Sequence, residues 1–133
     1  MKDAALKVTK AFPAAGASNS SDPLDLKARG TPQGETPAHA EVWLTIPTVA
    51  ALADTKTLTI QLEESDDNST YSSTGTGLPS FVLTGAGGAG ATGYTAKIRL
   101  KPSAPRYLRA TSTVASAGGT ITGSSLTLEL FIP

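Results

Sequence analysis

Cysteine is absent from this 133-residue chain, and histidine, methionine and tryptophan each occur once. Without thiols there are no disulfides and no thiolate metal sites. The single imidazole, His39, leaves a zinc centre or a Ser-His-Asp triad with almost nothing to be built from. Aromatics are scarce, with three Phe, three Tyr and one Trp, which disfavours a sugar cleft or a base-stacking platform. No apolar run approaches the roughly 20 residues that cross a bilayer. The opening MKDAALKVTKAF lacks the apolar core of a signal peptide, so neither a membrane nor an export route is expected.

Net charge is absent too: eleven cations balance eleven acids, which argues against non-specific binding to nucleic acid. The balance is uneven along the chain. Residues 1–67 carry six cations and ten acids, a sum of −4, and residues 68–133 carry five cations and Glu129 alone, a sum of +4.

What the chain has is hydroxyls and turns. Ser and Thr number 32, with 13 Gly and 9 Pro, a composition of short strands rather than long helices. Period-two alternation confirms the class. Val42, Leu44 and Ile46 share one face of EVWLTIPT, with Trp43 on the other. Leu58, Ile60 and Leu62 alternate with Thr57, Thr59, Gln61 and Glu63. SFVLT at 80–84 is a further strand, and Leu126, Leu128, Leu130 and Ile132 alternate with Thr127, Glu129 and Phe131. Leu24 and Leu26 alternate with Asp25 and Lys27 in a short strand closing at Gly30. TPQGETPAHA is a loop by its Pro and Gly content. VAALAD at 49–54 reads as one helical turn or a connection. Residues 1–21 read as an extended N-terminal arm or an early edge strand, with Val8 and Phe12 as anchors. The expected fold is all-β: a single jelly-roll or β-sandwich domain over residues 22–133, of about eight short antiparallel strands. Crossover helices for parallel βαβ units are lacking.

Several constellations could carry chemistry. Glu63, Glu64, Ser65, Asp66, Asp67 and Asn68 cluster oxygen ligands, but without the Gly and Glu spacing of an EF-hand, and calcium needs six to eight oxygens about one point. A solvated strand-end loop is the expectation, with no metal. Asp66 with Glu64 or Glu129 could be nominated as a glycosidase pair. GAGGAGATG at 85–93 lacks the Lys-Ser/Thr ending of a phosphate-binding loop and reads as a flexible connection. No enzyme and no cofactor is expected.

The segment YTAKIRLKPSAPRYLRATSTV at 94–114 holds the best functional candidate. Ala96, Ile98 and Leu100 alternate with Lys97, Arg99 and Lys101, and beyond Pro102 and Pro105 a second strand resumes with Leu108, Ala110 and Val114 on one face. Lys97, Arg99, Lys101, Arg106 and Arg109 are five of the eleven cations, with no acid among them. Such a stripe, with Trp43 as a partly exposed aromatic, suits an acidic protein surface, where charge sets register and encounter rate.

TLTIQLEESDD at 57–67, RYLRATSTV at 106–114 and TITGSSLTLEL at 120–130 resemble the phage capsid cement proteins of the Bordetella phage Bbp16 type. That family has a strand of the form LT(V/I)QLQTSDD, then (K/R)RYLRL.Y.V after a proline, then G.(V/I)TAGL. Leu58 to Asp67, Arg106 to Leu108 and Val114 match, and DLKARG at 25–30 is similar to the family's IDLG..R. The chain departs at the Gly-rich insert 85–93, and at Ala110 and Thr111, where the family has bulkier residues. The resemblance implies a jelly roll on the outer surface of an HK97-type shell, assembled in the host cytoplasm. It implies the major capsid protein and the chain itself, as a homodimer or trimer, as partners. The alternative is a carbohydrate-binding β-sandwich module presenting Trp43, Tyr71, Tyr94 or Tyr107 on a platform.

Overall fold

A computed structural model describes residues 2–25, 41–72, 78–99 and 107–131. Nine strands are formed among them: β1 (Lys2–Ala11), β2 (Ser18–Ser20), β3 (Leu24–Asp25), β4 (Glu41–Ile46), β5 (Thr57–Ser65), β6 (Ser80–Thr84), β7 (Tyr94–Arg99), β8 (Tyr107–Val114) and β9 (Ser125–Phe131). No helix interrupts them within the described residues.

The strands make two antiparallel sheets. Sheet 1 has the order β1-β9-β4-β7, and sheet 2 has the order β2-β8-β5-β6, with β3 also beside β8. The connectivity is that of a chain doubled back on itself. The first strand pairs with the last, β2 and β3 with β8, β4 with β7, and β5 with β6. Rolling this double ribbon brings β9 against β4 and β8 against β5. That is the jelly roll.

Each strand's alternation decides which side faces the other sheet. Val42, Leu44 and Ile46 of β4 and Leu126, Leu128 and Leu130 of β9 meet Leu58, Ile60 and Leu62 of β5 and Leu108, Ala110 and Val114 of β8 in one cluster. Removing a large aliphatic side chain of this kind from water contributes about 1.5–3 kcal/mol. One inward position breaks the apolar run. Ser112 on β8 is wholly buried, and its hydroxyl finds no hydrogen-bond partner.

The N-terminal segment belongs to the sandwich. β1 runs along β9 from Lys7↔Glu129 to Ala11↔Ser125, β2 runs along β8, and Phe12 is buried with Val8 packed on the core. Of the arm and the early edge strand expected for this segment, strands are what residues 2–11 and 18–20 form. The reason is apolar: Val8 and Phe12 gain more from the core than from solvent. Of the expected strand Leu24–Gly30, Leu24 and Asp25 are in β3, and residues 26–40, His39 included, lie outside the described residues.

The Gly-rich segment corrects another expectation. Residues 85–93 do not form a loose connection but lie against the backbone of residues 46–54. Val49 and Ala91 exchange both backbone hydrogen bonds, at 2.8 and 3.1 Å. Thr55 N–H donates to Gly85 O, and Gly85 N–H to Lys56 O. A methyl group on Gly85, Gly90 or Gly93 would overlap the carbonyl oxygens of Ala53, Val49 or Ile46 respectively. Here glycine supplies close approach of two backbones rather than slack. Residues 49–54 form a turn and bridges, not a helical turn.

Candidate functional site

The two outer faces differ in chemistry, and register shows how. On sheet 1, Lys7 of β1 lies opposite Glu129 of β9, Glu129 opposite Trp43 of β4, and Trp43 opposite Lys97 of β7. Cation, acid, aromatic and cation thus form one row across all four strands. The Lys97 ammonium sits 4.4 Å from the centre of the Trp43 ring, a cation–π arrangement. The next row holds four threonines, Thr9, Thr127, Thr45 and Thr95. Arg99 follows at the edge, opposite Glu41. Glu129 is only 8% exposed although it faces outward.

Sheet 2 carries hydroxyls. Ser18 and Thr113 hydrogen-bond at 2.9 Å, and Ser20 and Thr111 at 3.1 Å. The Thr111 hydroxyl donates onward to Glu63 Oε1 at 2.7 Å. Arg109 Nε donates to the same oxygen at 2.9 Å. The Arg109 guanidinium also lies 3.8 Å from the centre of the Tyr71 ring. Burial pushes the Tyr71 phenol above its ordinary pKa, against the opposing pull of Arg109. Tyr71 in turn donates to Asn68 Oδ1. Arg109 therefore ties the loop after β5 down onto its own sheet.

Among the described residues, the cations of the expected basic stripe are divided between two sheets. Lys97 and Arg99 project from the outer face of sheet 1, and Arg109 projects from the outer face of sheet 2. They are close in sequence, but β7 and β8 belong to different sheets. Lys101 and Arg106 lie outside the described residues. The acidic run is likewise dispersed among local partners. Asp67 accepts from the backbone of Ser69 and Thr70 and from the Ser65 hydroxyl, each at 2.9 Å. These bonds, the Thr70 amide foremost, hold its carboxyl below the usual aspartate range. Glu129 stands on β9 of sheet 1 and Asp66 just beyond the end of β5 in sheet 2, so these two do not form a carboxylate pair.

A family model described as Bbp16 matches residues 6–130. The chain belongs to the Bbp16 family. The match runs from within β1 to within β9, and so reaches upstream of the motifs at 25–30, 57–67, 106–114 and 120–130 that carried the resemblance in the sequence. No curated protein sequence matches. Among solved structures, a chain of Desmodium yellow mottle tymovirus is similar, at 11% identity and a TM-score of 0.50, over 93% of this chain and 82% of that one. That likeness concerns the fold. Membership of the Bbp16 family makes this chain a phage structural protein.

Three features were missed in the sequence. The row from Lys7 to Lys97 and the threonine row beside it are written as Lys-x-Thr, Trp-x-Thr, Thr-x-Lys and Thr-x-Glu at 7–9, 43–45, 95–97 and 127–129. Each pair is visible in sequence, but their alignment is a matter of register. The role of Tyr71 had no local signal.

Proposed function

We propose that this chain is a decoration (cement) protein that binds the outside of an HK97-type shell and bridges neighbouring major capsid subunits, stabilising the head. The observation that carries this reading is the family match over residues 6–130. Its partners are the major capsid protein and copies of itself, and it acts by adhesion, without catalysis or cofactor. A molecule that binds several coat subunits only in the assembled shell stabilises that shell by mass action. Many weak identical contacts suffice where the sites form a fixed array.

The docking surface in this reading is the outer face of sheet 1, with Lys97, Arg99 and Trp43, joined by Lys7. Lys101 and Arg106 belong to the set by sequence alone, and Arg109 is assigned to its own sheet's loop. Sheet 1 favours this role because its outward cations sit on an edge strand beside an aromatic. The sugar-binding alternative receives no such support. Lys97 lies over one face of the Trp43 ring and Arg109 over one face of the Tyr71 ring, which leaves each ring only its other face for a sugar.

Reversing charge with Lys97→Glu and Arg99→Glu together tests the docking face. The expected result is several-fold lower occupancy on purified heads by co-sedimentation, at unchanged melting temperature, with weaker dependence on salt. Unchanged occupancy would assign these cations to ordinary solvated surface.

A further inference from the structure

Sheets expose two kinds of edge here. In sheet 1 the edge strand β7 carries Lys97 and Arg99, the charges by which natural edges discourage pairing. In sheet 2 the edge strand β6 pairs with β5 alone among the described strands. Its five residues, Ser80, Phe81, Val82, Leu83 and Thr84, carry no charge and no proline. Val82, at the strand's centre, faces outward opposite Thr59 and is 59% exposed, one of the two exposed large hydrophobics among the described residues. The inward residues of the same strand are already engaged. Leu83 is buried in the core, and Phe81 packs edge-to-face on Tyr94 with centroids 6.1 Å apart, closing the gap between the two sheet edges.

The pattern of β6 is also a palindrome by class: hydroxyl, apolar, valine, apolar, hydroxyl. Laid antiparallel against itself about Val82, it sets Val82 opposite Val82, Phe81 opposite Leu83 and Ser80 opposite Thr84. Every outward residue then meets an outward residue of its own kind, and no charge opposes another. An edge shaped for a foreign strand has no reason to be self-matched in this way. We propose that β6 is a strand-addition edge for a second copy of this chain, the two β6 strands pairing antiparallel across a two-fold axis beside Val82. The partner follows from self-complementarity, since a two-fold contact joins the same patch on both copies. This rests on the self-association included in the function proposed above, and adds where it occurs.

A five-residue edge covers far less than the roughly 800 Å² per partner of a standard interface. The pairing is therefore weak in dilute solution and is best read by trapping. The chain has no cysteine, so one introduced thiol reports one position. Residues directly opposite in an antiparallel pair have Cα atoms about 4.5–5.5 Å apart, within the span of a disulfide. The purified full chain bearing Val82→Cys is compared under mild oxidation with Thr84→Cys on the same strand and with Thr122→Cys in the exposed loop before β9. Val82→Cys is expected to give disulfide-linked dimer at least about tenfold faster than either, because pairing raises the local thiol concentration. Equal rates for Val82→Cys and Thr122→Cys would overturn the edge as an interface, and faster linkage through Thr84→Cys would overturn the two-fold at Val82. Unchanged melting temperatures of the reduced variants establish that each is folded. No capsid enters the measurement, so its failure is distinct from a failure of shell docking, which is read by occupancy on heads.

Discussion

Arg109 lies with its guanidinium 3.8 Å from the centre of the Tyr71 ring. The contact joins a β8 side chain to the loop that leaves β5, while Nε of the same arginine donates to Glu63 on β5. Replacing Arg109 by Ala removes a cation–π contact worth about 0.5–1 kcal/mol and a part-buried ion pair of at most about 1 kcal/mol. A loss of about 1 kcal/mol in denaturant unfolding is expected, together with faster amide exchange across residues 66–72. Arg109→Lys keeps the charge without the planar face and is expected to restore only part of the protection.

Asp67 sets an acid dependence for the same loop. Its carboxylate is held below the ordinary aspartate pKa by the Thr70 and Ser69 amides and the Ser65 hydroxyl. A depressed folded-state pKa means that the stabilisation is fully present above the ordinary aspartate value, about pH 4, and is lost as pH falls through the folded value. Amide exchange at Ser69 and Thr70, corrected for its intrinsic pH dependence, is therefore expected to quicken below that pH. In Asp67→Asn that step should vanish, and a step of unchanged size would exclude Asp67 as its source.

Gly90 and Gly87 separate close approach from backbone conformation. Both have positive φ, +70° and +63°, but an added methyl at Gly90 overlaps Val49 O, whereas at Gly87 it meets nothing within 4 Å. Gly87→Ala is expected to cost about 1–2 kcal/mol, the left-handed penalty alone. Gly90→Ala adds a backbone clash and should cost at least about 3 kcal/mol, as in other severe overpacking. Comparable losses in the two variants would mean that the segment 85–93 does not press on residues 46–54.

Ser112 offers a gain. Its buried hydroxyl lacks a partner, as does Asn19 Oδ1 on the residue directly opposite. A buried polar group without a hydrogen bond costs on the order of 1–3 kcal/mol. Ser112→Ala is expected to leave stability unchanged or raise it by up to about 1 kcal/mol, read as a shift in denaturant midpoint at constant slope. A clear loss would show that the hydroxyl is bonded in solution.

Strands β4, β5, β6, β7, β8 and β9 were legible because an inward face forces period two on the residues: Leu58, Ile60 and Leu62 could sit no other way. Partnership between strands was not legible. Alternation says which side of a strand faces inward and nothing about which strand lies beside it, so β7 and β8 looked like carriers of one basic stripe while belonging to opposite sheets. Composition misled at residues 85–93, where glycine serves close packing. The apolar face containing Leu108, Ala110 and Val114 concealed Ser112, since a single hydroxyl does not disturb an otherwise regular pattern. For the docking surface, Trp43 and Lys97 were each visible alone, and only register places one over the other.

In sheet 1, β9 lies between β1 and β4 and is hydrogen-bonded to both. As the polypeptide emerges from the ribosome, β1 and β4 must wait for residues 125–131 before either has this neighbour. Folding of sheet 1 is thereby tied to the synthesis of residues 125–131 and to a closure that spans β2 to β8, a slow regime in which unfinished molecules present open edges. A nascent chain stalled before residue 125 should be captured by chaperones and digested by protease, and release of the last strand should close the molecule in a single cooperative event.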